Sequence, residues 1–88
     1  MKKVMRFTAS WCGPCKVLTP VMEKLQEDYG SIQWETIDVD RAPHTAVAYE
    51  VRTVPTVLIL QNDNVIKKFV GLNPKTTYEE AIKELIDA

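Results

Sequence analysis

The residues best suited to chemistry in this chain are Cys12 and Cys15, held in the stretch Trp11-Cys12-Gly13-Pro14-Cys15-Lys16. They are the only two cysteines present. On a helix, residues three apart share a face, with roughly 5–6 Å between Cβ atoms. A disulfide needs that gap shortened to about 3.5–4.5 Å, which a tight first turn supplies. A β-like run, Val4 to Ala9, leads into the motif, and a helical pattern begins in its second half. Cys12 is therefore predicted to lie exposed at a helix N-terminus, with Cys15 one turn in and more buried. Unpaired N–H groups and the positive end of the helix dipole favour an anion there. A thiolate is such an anion, so the site makes a nucleophile rather than a staple. The competing reading is one half of a zinc site. That needs two further ligands, and His44 is the only other strong candidate. His44 itself reads as a surface residue of a short helix.

The elements that must position these residues follow from the pattern of apolar positions. Eighty-eight residues suit one domain, 1–88, burying about 60% or a little more of the surface its unfolded chain exposes. Val4–Thr8 reads as a strand without clean alternation, as expected when both faces are covered, with Arg6 an odd occupant. Leu18, Val21, Met22, Leu25 and Tyr29 form the apolar stripe of a helix from about Pro14 to Tyr29, kinked by Pro20. Ile32–Asp38 reads as a second strand. Asp40 is the predicted cap of a short helix around Ala46 and Val47. Thr56–Leu60 and Val65–Val70 form a hairpin across the turn-forming run Gln61-Asn62-Asp63-Asn64. A last helix spans about Lys75–Asp87, capped by Asn73 or by a Thr76/Glu79 box. The order is βαβαββα, with the first two strands parallel through a right-handed crossover.

The motif W-C-G-P-C-K resembles the active-site signature of the thioredoxin family. The likeness extends over nearly the whole chain, through Pro20 inside the first helix, Thr53-Val54-Pro55-Thr56 before the third strand, and Val70-Gly71. It implies an α/β minimal thioredoxin fold: a four-stranded mixed sheet with helices on both faces, lacking the strand and helix that longer thioredoxins carry in front. It implies that the Val54–Pro55 bond is cis and faces the disulfide, leaving a backbone edge at Val54 for an extended substrate to pair with. Trp11, Gly13, Pro14, Val54, Pro55 and Gly71 would form a flat, mostly uncharged docking surface suited to a protein partner. The glycine at 71 would let another backbone approach closely.

The chemistry implied is dithiol–disulfide exchange. Cys12 attacks a substrate disulfide, and Cys15 resolves the mixed disulfide. Longer members of the family carry a buried aspartate where this chain has Arg6, and often a lysine where it has Thr36. They carry a tryptophan where it has Thr8. Arg6 and Lys16 are the candidates for tuning the cysteine pKa values. The alternative for Arg6 is a snorkelling or ion-paired residue, with Glu35 or Asp38 as partner.

A net charge of −1 gives no electrostatic case for nucleic acid or an anionic membrane. Nothing in the sequence marks it for membrane insertion or secretion. The resulting expectation is a monomeric cytoplasmic thioredoxin without cofactor or metal, reduced by a thioredoxin reductase and acting on disulfide-containing proteins. The alternatives are a glutathione-dependent, glutaredoxin-like reductase, against which the Gly-Pro spacer argues, and a binding subunit whose cysteines are incidental.

Overall fold

Strand β1 (Lys2–Thr8) opens the computed structural model, which describes residues 1–88. After it come α1 (Gly13–Asp28), β2 (Gln33–Asp38), α2 (Pro43–Ala48), β3 (Thr56–Gln61), β4 (Asn64–Val70) and α3 (Lys75–Asp87). The sheet order is β2-β1-β3-β4. β1 runs parallel to β2, with Val4 beside Trp34 and Phe7 beside Ile37. It runs antiparallel to β3, which in turn is antiparallel to β4. This is the βαβαββα thioredoxin fold with a mixed four-stranded sheet.

The two central strands carry apolar side chains on both faces, and both faces are covered. Val4, Val57 and Ile59 pack against Leu18, Met22 and Leu25 of α1 and against Tyr78, Ile82 and Leu85 of α3. On the other face Met5, Phe7, Leu58 and Leu60 meet Ile37, Ala46 and Val51. Leu25 and Leu58 are fully buried; each such side chain contributes about 1.5–3 kcal/mol through its removal from water. This two-sided burial is why Val57 to Leu60 reads as an unbroken apolar run and Val4 to Phe7 as one interrupted only by Arg6.

Boundaries and caps differ from the sequence expectation in identifiable ways. β1 starts earlier than predicted, because Lys2 and Lys3 pair with Gln61 and Leu60. The hairpin closes tightly: Gln61 pairs with Asn64, leaving Asn62 and Asp63 as a two-residue turn with φ of 52° and 68°. Two consecutive left-handed residues make the mirror-image turn whose twist matches the flanking strands, and Asn and Asp tolerate it. Asp40 does not cap α2; the N-cap is Ala42, with no side-chain bond. The Asp40 carboxylate is engaged by the Trp11 indole instead. Neither Asn73 nor Thr76 caps α3, where Pro74 is the N-cap. The Glu79 carboxylate accepts a 3.1 Å bond from the Tyr29 hydroxyl rather than closing a capping box.

Candidate active site

The active-site turn is built where β1 stops. Ala9 is buried, its carbonyl accepts the Cys12 N–H at 3.2 Å, and the chain turns into α1 with Pro14 in the first turn. A proline is tolerated there because that N–H has no helical partner. Cys12 is the N-cap, in extended conformation, and its Sγ accepts the Cys15 N–H at 3.1 Å. The two cysteines form a disulfide with Cα atoms 5.3 Å apart. A sulfur that already receives a backbone N–H at a helix start is held where negative charge is stabilised.

One expectation needs correcting. Cys12 is not exposed in this oxidised state: it is 4% accessible, against 2% for Cys15. Both pack with Ala9 in a small cluster closed by Val39 and Val54. The exposed part of the motif is its rim, Trp11, Gly13 and Pro14, with Lys16 exposed one residue on. Trp11 is 67% accessible, and its indole N–H donates to Asp40 at 2.8 Å, which fixes the ring beside the disulfide.

The opposite wall comes from the approach to β3. The Val54–Pro55 bond is cis, and Pro55 is buried. The Thr56 hydroxyl donates to the Thr53 carbonyl at 2.8 Å, and the Gly71 N–H donates to the Pro55 carbonyl at 2.9 Å. Gly71 has φ of 80°, a conformation that glycine adopts at no steric cost. A Cβ there would meet no atom within 4 Å, so the requirement for glycine within the chain is conformational rather than spatial. The buried Tyr78 holds this segment: its hydroxyl donates to the Gly71 carbonyl at 3.3 Å and accepts the Asn73 N–H at 3.2 Å. The Val54 N–H and C=O take no hydrogen bond from the chain. The surface is also less flat than predicted. Trp11, Val39, Ala46, Val51 and Val54 line a groove of about 110 Å³ beside the disulfide.

Beneath the motif lies Arg6, half-buried on β1. It pairs with no carboxylate: Glu35 is bound to Lys3, and Asp38 Oδ1 accepts the Asp40 N–H. The guanidinium donates instead to Thr19 Oγ1 at 3.0 Å and to Thr36 Oγ1 at 3.5 Å. Burial lowers its pKa, opposed by the charge of Glu23. Thr19 Oγ1 in turn donates to the Cys15 carbonyl at 3.0 Å, so Arg6 reaches the active-site turn through one hydroxyl. Sequence reasoning missed Thr19, Asp40 and Tyr78 as site-supporting residues. A threonine four positions after Cys15 is a signal in itself, since helical Thr commonly bonds back to the i−4 carbonyl. The pairings of Trp11 with Asp40 and of Tyr78 with Gly71 carry no local signature.

The family model described as thioredoxin matches residues 1–84. The mitochondrial thioredoxin of Mus musculus is 42% identical over 84 residues, spanning 94% of this chain and 51% of the relative. A thioredoxin of Staphylococcus epidermidis is 41% identical over 81 residues, spanning 91% of this chain and 78% of the relative. Against the mouse protein, then, the chain spans only about half the relative's length. Among solved structures, oxidised mitochondrial thioredoxin 3 from Saccharomyces cerevisiae superposes with a TM-score of 0.88 at 38% identity, covering 96% of this chain and 78% of that one. No helix of this chain is long and apolar enough to cross a membrane.

Proposed function

The chain belongs to the thioredoxin family, and on that premise we propose that it is a dithiol–disulfide oxidoreductase that reduces disulfides in proteins. The observation that carries the reading is the Cys15 N–H donated to Cys12 Sγ at the start of α1. In the reduced protein the Cys12 thiolate attacks one sulfur of a substrate disulfide. The substrate S–S bond breaks, its second sulfur leaves as a thiolate, and a Cys12–substrate disulfide forms. Cys15, deprotonated, then attacks Cys12 Sγ and expels the other substrate sulfur. Two electrons have passed to the substrate, its two sulfurs take up protons, and the Cys12–Cys15 disulfide remains.

In this reading the free N–H and C=O of Val54 pair with an extended substrate segment as an added strand would. Trp11, Gly13, Pro14, Pro55 and Gly71 shape the surface around that contact. Arg6 and Lys16 supply positive charge near the cysteines, which favours thiolate over thiol. The electron donor is a thioredoxin reductase. The compartment is the cytoplasm, where a closely spaced cysteine pair is kept reduced and serves as a catalyst.

The test is insulin reduction followed by turbidity, with two donor systems run separately. NADPH with a thioredoxin reductase should support turnover; glutathione with its reductase should not. Turnover with glutathione alone would replace this reading with a glutaredoxin-like one. Turnover with neither donor, nor with dithiothreitol, would make the cysteines incidental to a binding role.

A further inference from the structure

A second depression lies beside the groove at Trp11, on the sheet face that carries α2. Its volume is about 370 Å³, and its lining includes Glu50, Arg52, Thr53, Lys68 and Val70. The two hollows share Arg52 and Thr53 in their linings. They differ in chemistry. The groove at Trp11 is mostly apolar, whereas the larger depression presents two cations and one carboxylate.

The cations are placed without acidic partners. Lys68 donates to the main-chain carbonyl of Glu50 at 2.9 Å, and Glu50 itself is left-handed, with φ of 57°. Neither Lys68 nor Arg52 forms an ion pair. Arg52 is exposed two residues before Val54, whose backbone N–H and C=O have no partner in the chain. A substrate strand laid along Val54 advances roughly 3.3 Å per residue, so its near neighbours pass Arg52 and Thr53.

We propose that Arg52 and Lys68 form a subsite that selects disulfide substrates bearing an Asp or Glu side chain close to the reacting cysteine. The carboxylate sits in the larger depression, between a guanidinium and an ammonium that have no carboxylate partner, the ammonium keeping N–H groups beyond the one it gives to Glu50 O. The inference rests on the disulfide-reductase reading and adds the substrate class. The chain's net charge of −1 gives non-specific attraction no reason to favour acidic substrates, so a preference for them has to come from local charge.

The experiment uses three synthetic peptides with the same disulfide loop, flanked by Glu, Gln or Lys. Each is reduced in a single turnover by the pre-reduced protein. At low ionic strength the Glu peptide should react about 3–10-fold faster than the Lys peptide, the range for a few partly exposed charge pairs. Salt should shrink the ratio. Arg52→Gln with Lys68→Gln should bring it towards one, and Arg52→Glu with Lys68→Glu should invert it. Equal rates for the Glu and Lys peptides, or a preference unchanged in the charge-reversed protein, would overturn the subsite while leaving the reductase reading in place. Failure to reduce any of the three would overturn that reading and the subsite with it.

Discussion

Replacing Arg6 by leucine tests whether a cation under the helix start sets the acidity of the cysteines. Its guanidinium reaches the active-site turn through two hydrogen bonds of 3.0 Å, Arg6 to Thr19 and Thr19 to the Cys15 carbonyl. End to end, these place the charge within roughly 6 Å of the Cys15 main chain, where two unit charges interact by about 3 kcal/mol at an effective dielectric of about 20. Cys12 Sγ lies further off, beyond the backbone of Cys15 and the 3.1 Å bond it receives from the Cys15 N–H. Arg6 is also only half-buried, so distance and solvent remove half or more of that energy. A remainder of about 0.7–1.4 kcal/mol corresponds to about 0.5–1 pKa unit. A cation favours the thiolate, so its loss raises the thiol pKa. Arg6→Leu is expected to raise the pKa of Cys12 by about 0.5–1 unit, and Arg6→Asp to raise it further. Thr19→Val keeps the charge, removes the bridge and should move the titration less. The assay is thiolate ultraviolet absorbance against pH in the reduced proteins. Superimposable curves for wild type and all three variants would refute the reasoning and leave Arg6 as a packing residue.

Four further outcomes are expected. Cys15→Ser should accumulate a mixed disulfide with an oxidised protein substrate, seen by intact-mass spectrometry, and Cys12→Ser should not; equal trapping would reverse the roles of the two sulfurs. Asp40→Ala frees the Trp11 ring by removing its 2.8 Å bond; it should raise KM for a protein substrate several-fold while leaving the unfolding free energy within about 0.5 kcal/mol, as usual for an exposed polar contact. Tyr78→Phe strips the hydroxyl from Gly71 O and Asn73 N–H, and urea unfolding should show a loss of about 1–2 kcal/mol. Lys3 has its pKa raised above 10.5, first by its bond to Glu35. A folded pKa above the unfolded one means the contribution is complete below 10.5 and lost as pH climbs through the raised value. Lys3→Met should therefore cost a little stability near neutrality and none in strong alkali, as urea unfolding at several pH values will check.

The elements were legible because their signals are local. Leu18, Met22 and Leu25 recur at helical spacing, and the apolar runs of β1 and β3 record burial on two faces. The nucleophile pair was legible for the same reason, since its spacing and its place between strand and helix lie within one short segment. Caps and partners were less legible. Asp40 has the right residue type for a cap, and only the fold shows that Trp11, twenty-nine residues away, holds its carboxylate. Arg6 was expected either to sit as an unpaired cation or to find Glu35 or Asp38. Both carboxylates are taken, and two threonine hydroxyls on different elements serve it instead. The burial of Cys12 likewise depends on Val39 and Val54, which arrive from distant segments.

Pro20 gives α1 a mechanical character. It has no N–H to offer the carbonyl of Lys16, so one rung of the helical ladder is missing in the turn after the cysteines. Downstream, Met22 and Leu25 are bolted into the larger core. Upstream, Leu18 is fixed in the same core, so the part left to respond is the first turn, Cys12 to Lys16, which carries the reacting sulfurs. The missing rung loosens the tie between that first turn and the anchored shaft. Opening or closing the four-residue ring between the sulfurs therefore strains one helical hydrogen bond fewer on the way to the sheet.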